Sequence, residues 1–235
     1  MSKKGTLFMI PITLGDTPVN QVIPEFNNNI INEIDVYIVE NIKTARRFLK
    51  RAGIKKDISE LTFFELNKRT HITELPTFLK PIEQGQNIGV LSEAGCPGVA
   101  DPGADIVDLA QRQNIKVTPL VGPSSILLSL MASGFNGQSF CFNGYLPKEQ
   151  KDRSRKLKEL ERLAKNKQQT QLFIETPYRN MHVFEDLLKN CFDSTKLCIA
   201  VDITMPNERI TTKTIKEWKK TKINLQKRQC IFLIG

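Results

Sequence analysis

The stretch SEAGCPGVADPG at 92–103 combines three glycines and two prolines with no lysine or arginine, directly after a short apolar run. Glycine lets a backbone approach a ligand closely and proline fixes φ, so this loop should be rigid and should expose its amides. Open α/β sheets bind ligands beyond the carboxyl ends of their strands. The composition therefore argues against a nucleoside triphosphate and favours an adenosine-containing cofactor held by backbone groups.

Three further turns look too specific to serve only as connections. They read ITLGDTP at 12–18, GPSSI at 122–126 and FCFNGYLP at 140–147. None has the GxGxxG of dinucleotide folds or the GxxxxGK[ST] of phosphate-binding loops. Loops at one edge of a sheet point to the same space, so we expect these turns to line one ligand site.

Short apolar runs that alternate with helical segments predict the frame around these loops. The predicted strands lie at 6–12, 35–40, 61–66, 87–92, 116–121, 171–176, 197–203 and 230–235. Strands alternating with helices predict an α/β protein with largely parallel sheets. MPNERITTKT at 205–214 is interpreted as a polar connection. We predict two α/β domains, residues 1–121 and residues 122–235, that pack directly on each other and form a cleft.

The overall composition predicts a cytoplasmic globular protein. The chain has 235 residues, 40% of them hydrophobic, and no apolar stretch approaches the length of a membrane span. The first apolar run is broken by Pro11 and has no small-residue cleavage site, so it is interpreted as a strand rather than a signal peptide. Five scattered cysteines without CxxC or Cys/His spacing predict buried thiols and no metal site.

The net charge of +9 is concentrated at 148–167 and 213–228. Such an excess favours a polyanionic partner, most simply nucleic acid. The alternative is that the lysines only solvate helices, since acids are interleaved with them at helical spacing. We expect Trp218, which lies among lysines, to dock its helix rather than to stack on RNA.

Four motifs in a fixed order resemble those of the tetrapyrrole-methylase superfamily: SEAGCPGVADPG, PLVGPSSILLSLMASG, FNGYLP and IETPYR. They are most similar to the ribosomal RNA small-subunit methyltransferase I family, which methylates the 2′-oxygen of a decoding-centre cytidine. The resemblance extends from Leu7 to Gly235. It implies two α/β domains, a homodimer, and S-adenosylmethionine bound between the domains.

The resemblance also implies roles for individual residues by position. Tyr178 and Arg179 would contact the phosphate or base of the acceptor, and Glu40 and Glu175 are candidate general bases for a ribose hydroxyl. An alternative for Glu40 is that it caps the helix beginning near Lys43 or pairs with Arg46. The residues implied to contact the cofactor are Leu14, Glu93, Ala94, Gly95, Cys96, Ser124, Ser125, Ile126, Tyr145, Leu146 and Pro147.

Departures from the family pattern concentrate on the acceptor side. The family's PTPIGNLxD is here IPITLGDTP, its EDTR is here Glu40-Asn41-Ile42-Lys43, and the histidine of its YExPHR is Tyr178. The chain is nevertheless predicted to be an S-adenosylmethionine-dependent methyltransferase that methylates a ribose 2′-oxygen in small-subunit ribosomal RNA. The alternatives are that it methylates a tetrapyrrole or other small molecule, or a protein side chain. A non-catalytic RNA-binding relative is a further alternative.

Overall fold

The computed structural model describes residues 4–235 and divides the chain into two compact units, Met1–Ser124 and Ser125–Gly235. Both units combine strands and helices, which confirms the predicted α/β class. Within the described residues, no helix is both long enough and apolar enough to cross a membrane.

The first unit alternates strands with helices along the chain. Its strands are Thr6–Ile10 (β1), Val36–Val39 (β2), Thr62–Glu65 (β3), Ile88–Leu91 (β4) and Lys116–Pro119 (β5). Its α-helices are Val19–Val22 (α1), Glu25–Glu33 (α2), Ile42–Arg51 (α3), Leu75–Glu83 (α4) and Ala104–Arg112 (α5).

The first sheet is parallel throughout and has the order β3-β2-β4-β1-β5. Every residue of β2 and β4 is buried, because helices cover both faces of a parallel sheet and their strands are apolar on both sides. Two apolar clusters result, one around Tyr37 and Leu49 and the other around Ile38 and Leu79. The carboxyl ends of β1, β2 and β4 lie side by side, so the loops after these strands share one edge of the sheet.

The second unit has five strands and four helices. Its strands are Phe140–Tyr145 (β6), Thr170–Ile174 (β7), Lys196–Val201 (β8), Arg209–Thr214 (β9) and Cys230–Ile234 (β10). Its helices are Ser125–Ser133 (α6), Gln150–Lys167 (α7), Asn180–Asn190 (α8) and Ile215–Trp218 (α9).

The second sheet differs from the prediction in direction and extent. Its order is β6-β7-β10-β8-β9, and only β6 and β7 are parallel, so the expectation of largely parallel sheets is wrong for this unit. The interpretation of 205–214 as a connection is also wrong, because its second half forms the edge strand β9. Isoleucine and three threonines in RITTKT favour a strand. The segment has no apolar run, however, so the sequence did not indicate a strand there.

Trp218 is fully buried in the core of the second unit. Its indole N–H donates to the Leu197 carbonyl over 2.8 Å, and its ring meets Phe184 edge to face at 5.8 Å between centroids. The prediction that Trp218 docks its helix is therefore confirmed.

Candidate functional site

In the first unit, the loops after β1 and β4 are joined by a backbone hydrogen bond. The Ile12 amide donates to the Gly95 carbonyl over 2.9 Å. Gly95 has φ +73°, and a Cβ there would lie 3.1 Å from Cδ2 of the buried Leu14. Only glycine accepts this backbone and this approach without strain. The predicted cofactor residues Leu14 and Gly95 are therefore neighbours.

Side chains fix the shape of the second loop. The Ser92 hydroxyl lies 3.3 Å from the Ala94 carbonyl and 3.4 Å from that of Gly95, and the Cys96 thiol lies 3.5 Å from the Pro123 carbonyl. Burial raises the pKa of Cys96, so at neutral pH this thiol is protonated and suits packing rather than nucleophilic attack. Ser124 follows Pro123 and is half-buried.

Three carboxylates meet at the same edge of the first sheet. Glu40 follows β2, while Glu93 and Asp101 lie in the loop after β4. Burial raises the pKa of Glu40, and the charges of Asp101 and Glu93 raise it further, opposed by Lys68. Burial, followed by the charge of Glu93, also raises the pKa of Asp101. Sequence reasoning missed Asp101, although its place in the DPG turn of the same loop was a usable signal.

Glu40 does not cap the following helix, so that alternative is wrong. The cap of α3 is Asn41, whose side chain accepts from the Thr44 amide over 3.1 Å. The Thr44 hydroxyl lies 3.1 Å from Glu93 Oε1 and so links the loops after β2 and β4. The Arg46 guanidinium lies 5.2 Å from the centroid of the Phe63 ring.

In the second unit, the predicted site residues Glu175 and Pro147 both contact a third, Arg179. The Glu175 side chain is 1% exposed; its Oε1 accepts from the Thr176 amide over 2.7 Å, and its Oε2 lies 3.0 Å from Arg179 Nη2. That second contact is an ion pair, and Oε2 has no hydrogen-bond partner among the described residues. Arg179 also donates to the Pro147 carbonyl over 3.4 Å. Glu175 is thus engaged in holding Arg179.

The remaining predicted residues of the second unit lie at three places. Ser125 and Ile126 form the first turn of α6 and are half-buried. Tyr145 ends β6 and is exposed, whereas Leu146 is buried in the core. The exposed Tyr178 immediately precedes Arg179.

The first unit's loops fit the charge of a sulfonium cofactor. The charges of Asp101 and Glu93 raise the pKa of Glu40, and the charge of Glu93 raises the pKa of Asp101, so the three carboxylates lie close together. Residues 91–103 contain no lysine or arginine. A cationic ligand would relieve this repulsion, whereas a phosphate would add to it. Among the described residues, no group of three or more histidines, cysteines or acids has the geometry of a metal site.

Comparisons with known proteins agree with this fit. Residues 29–219 match the family described as Tetrapyrrole (Corrin/Porphyrin) Methylases. The ribosomal RNA small subunit methyltransferase I of Haemophilus influenzae is 28% identical over 98% of this chain and 78% of its own length. The protein of the same name from Thermotoga maritima is 33% identical over 68% of this chain and 67% of its own.

Solved structures share the fold at lower identity. The crystal structure of the methyltransferase CobJ has a TM-score of 0.64 at 16% identity and covers 98% of this chain and 94% of its own. Uroporphyrin-III C-methyl transferase from Thermus thermophilus, complexed with S-adenyl homocysteine, has a TM-score of 0.59 at 15% identity and covers 98% and 97%. The chain therefore belongs to the tetrapyrrole methylase family, within it to the ribosomal RNA small subunit methyltransferase I proteins, and it is a methyltransferase.

Proposed function

We propose that the chain transfers a methyl group from S-adenosylmethionine to a ribose 2′-hydroxyl of small-subunit ribosomal RNA. The observation that carries this proposal is the match, over 98% of the chain, to relatives named for that RNA. The tetrapyrrole enzymes with solved structures share the fold at only 14–17% identity. We place the reaction in the cytoplasm, where small ribosomal subunits are found.

The distribution of charge supports an RNA acceptor. Residues 125–235 hold 20 of the 34 lysines and arginines but only 11 of the 25 acids, so this unit carries the whole charge of +9. Five exposed cations lie along one face of α7 at spacings of three and four residues: Lys151, Arg155, Lys158, Arg162 and Lys165. At 1.5 Å per residue this stripe is about 21 Å long, enough to follow several phosphates.

Glu40 is the better placed of the two candidate bases. It is half-buried at the end of β2, and its pKa is raised toward neutrality, which suits a group that must accept a proton. Glu175 is buried beneath Arg179 and already holds an amide and a guanidinium. We therefore propose that Glu40 accepts the proton of the 2′-hydroxyl and that Glu175 positions Arg179.

The residues proposed to hold the donor are those of the glycine loops. In the first unit these are Leu14, Glu93, Ala94, Gly95, Cys96 and Ser124, and in the second Ser125, Ile126, Tyr145, Leu146 and Pro147. When bound, S-adenosylmethionine supplies a methyl group already activated by the positive sulfur. The chain's own contribution is then alignment of the acceptor oxygen and removal of its proton.

We also propose that the protein is a homodimer. Leu127 and Met131 lie four residues apart on α6, and their side chains are 51% and 79% exposed. A pair of exposed apolar side chains on one helix face suits contact with a second copy. Sedimentation should give a dimer mass for the wild type and a monomer mass for Met131→Glu; a monomeric wild type would contradict this.

The test of function uses S-adenosylmethionine labelled in its methyl group and small ribosomal subunits from a strain lacking this gene. Label should enter RNA and survive alkaline hydrolysis in a resistant dinucleotide, which identifies ribose methylation. Label in a tetrapyrrole or a protein instead would replace the proposed acceptor. Tight donor binding by calorimetry without any transfer would instead indicate a non-catalytic relative.

Two carboxamide variants test the assignment of the base. Glu40→Gln should lower kcat by roughly 100- to 10,000-fold, the usual contribution of a general base. Glu83→Gln, an exposed change on α4, is the matched control and should keep full activity. An undiminished kcat in Glu40→Gln would remove Glu40 from the chemistry.

A further inference from the structure

A groove of about 800 Å³ opens beside Glu40 at the carboxyl ends of β2 and β3. Its lining includes Asn41, Phe64, Lys68 and Arg69, none of which belongs to the predicted site. The volume lies within the range of about 300–1,000 Å³ that is usual for small-ligand sites. The groove therefore has room for one nucleotide drawn out of an RNA strand.

The groove presents an aromatic surface and two cations, and its lining also holds the carboxylates of Glu65 and Glu74. The half-buried Phe64 is stacked on Phe78 at 4.8 Å and 16°, which fixes the orientation of its ring. Lys68 and Arg69 are exposed, and within residues 4–235 neither takes part in a salt bridge. RNA-binding sites commonly stack unpaired bases on phenylalanine and contact phosphates through lysine and arginine.

The loop that carries the two cations is held in place by its own hydrogen bonds. The Thr70 hydroxyl donates to the Glu65 carbonyl over 2.9 Å and accepts from the Asn67 amide over 3.0 Å, while the Arg69 amide donates to Asn67 Oδ1 over 2.8 Å. A fixed loop loses little conformational freedom when it binds a phosphate. Lys68 is also near enough to oppose the rise in the pKa of Glu40, so the cations and the carboxylate border the same space.

A second groove, of about 770 Å³ in the other unit, is a weaker candidate. It too has cations, among them Lys158 and Arg162, but its carboxylate is Glu161. Glu161 is buried and accepts hydrogen bonds from the Phe192 amide and the Thr195 hydroxyl. That groove lacks a carboxylate free to act on a ligand, whereas the groove beside Glu40 combines all three features.

We propose that this groove is the acceptor-nucleotide subsite, with the base against Phe64, a phosphate at Lys68 and Arg69, and the ribose toward Glu40. The inference rests on the proposed function, since it names where that function's substrate sits.

The test is the double variant Lys68→Ala/Arg69→Ala, with Lys80→Ala/Lys116→Ala as control. Both remove two exposed positive charges from the first unit, but the control positions lie away from the groove. The groove variant should raise the KM for small ribosomal subunits by roughly tenfold or more and lower the salt slope of RNA binding by about 1–2. Its donor affinity by calorimetry should equal that of the wild type, and the control should change neither quantity by more than about twofold.

Cross-linking tests the same subsite in the unaltered protein. Ultraviolet irradiation of the wild type bound to subunit RNA should give RNA-linked peptides that include residues 62–70. If the wild type methylates RNA but the groove variant matches the control, or if no cross-link falls in 62–70, the subsite is refuted and the proposed function stands. If the wild type transfers no methyl group to RNA, both fall together.

Discussion

The buried ion pair of Arg153 and Asp186 should be the most sensitive polar contact of the second unit. The two side chains are 7% and 4% exposed, and Asp186 Oδ2 lies 2.7 Å from both Nε and Nη2 of Arg153. Nη1 of the same guanidinium donates to the carbonyls of Pro147 and Lys148 over 3.2 Å and 2.6 Å. The pair therefore joins α8 to the start of α7 and fixes the loop that contains the proposed donor residue Pro147.

Asp186→Asn keeps the size of the side chain but leaves the guanidinium charge buried without its counter-ion. Breaking one partner of such a pair costs about 3–5 kcal/mol, which raises the unfolding equilibrium constant roughly 100- to 4,000-fold. With a urea m value of about 1–3 kcal/mol/M for a unit of this size, the midpoint should fall by roughly 1–5 M. Trp218 is the chain's only tryptophan and is buried in this unit, so its fluorescence reports this transition alone.

The control is Asp152→Asn, which removes an exposed contact with Arg155 at 4.0 Å. An exposed pair contributes about 0–1 kcal/mol, so the control midpoint should barely move. Arg153→Met/Asp186→Leu removes both charges and should recover much of the loss. Equal midpoints for Asp186→Asn and Asp152→Asn would refute the reasoning, because the buried pair would then contribute no more than an exposed one.

Three further changes test other contacts by calorimetry. Gly89→Ala places a Cβ 2.9 Å from the Tyr37 ring in the first sheet and should cost about 1–3 kcal/mol through overpacking. Trp218→Phe leaves the buried Leu197 carbonyl without its donor and should also cost about 1–3 kcal/mol. Glu40→Gln should stabilise the protein at neutral pH, because the pKa of Glu40 is raised on folding, and a raised carboxyl pKa gives stability that is present in acid and lost as the pH rises.

The pH dependence separates the Glu40 effect from a general change in packing. The advantage of Glu40→Gln should disappear as the pH falls toward about 4, where the carboxyl is also protonated in the unfolded chain. Asp57→Asn should behave oppositely. The amide of Ser59 lowers the pKa of Asp57 in the folded protein. The ionised carboxylate therefore stabilises the folded state when the pH is above the ordinary pKa of an aspartate, and this contribution is lost as the pH falls into the acid range. A Glu40→Gln difference that is constant with pH would contradict the charge argument. An unfolding temperature equal to that of the wild type would contradict the packing argument for Gly89→Ala and the hydrogen-bond argument for Trp218→Phe.

The fold class was predictable because strands in α/β proteins leave apolar runs bounded by turns. β2 and β4 are such runs, and both are buried throughout. β9 was missed because an edge strand is half exposed and tolerates RITTKT, which has no apolar run. The direction of β8 and β10 could not be predicted either, since an apolar strand has the same composition whether its neighbour runs parallel or antiparallel.

The site was predictable where a glycine indicates a backbone with positive φ, and less predictable where it depends on which charged side chains contact each other. Gly95 carries its positive φ in a loop whose composition already indicated close approach to a ligand. The engagement of Glu175 by Arg179 was not visible, because a spacing of four residues does not say whether the intervening turn brings the two side chains together. The groove beside Glu40 was not predictable either, because it depends on chain segments that are distant in sequence.

The strand orders have a consequence for the nascent chain. In each unit a late strand lies between earlier ones: β4 separates β2 from β1, and β10 separates β7 from β8. Strand β4 can enter the first sheet once residue 91 has been synthesised, whereas β10 can enter the second sheet only after residue 234. Until then the facing edges of β7 and β8 have no strand between them, and unpaired edges template intermolecular pairing. The second half of the protein is thus the part that requires protection during synthesis, and a chain cut short before β10 should aggregate rather than fold.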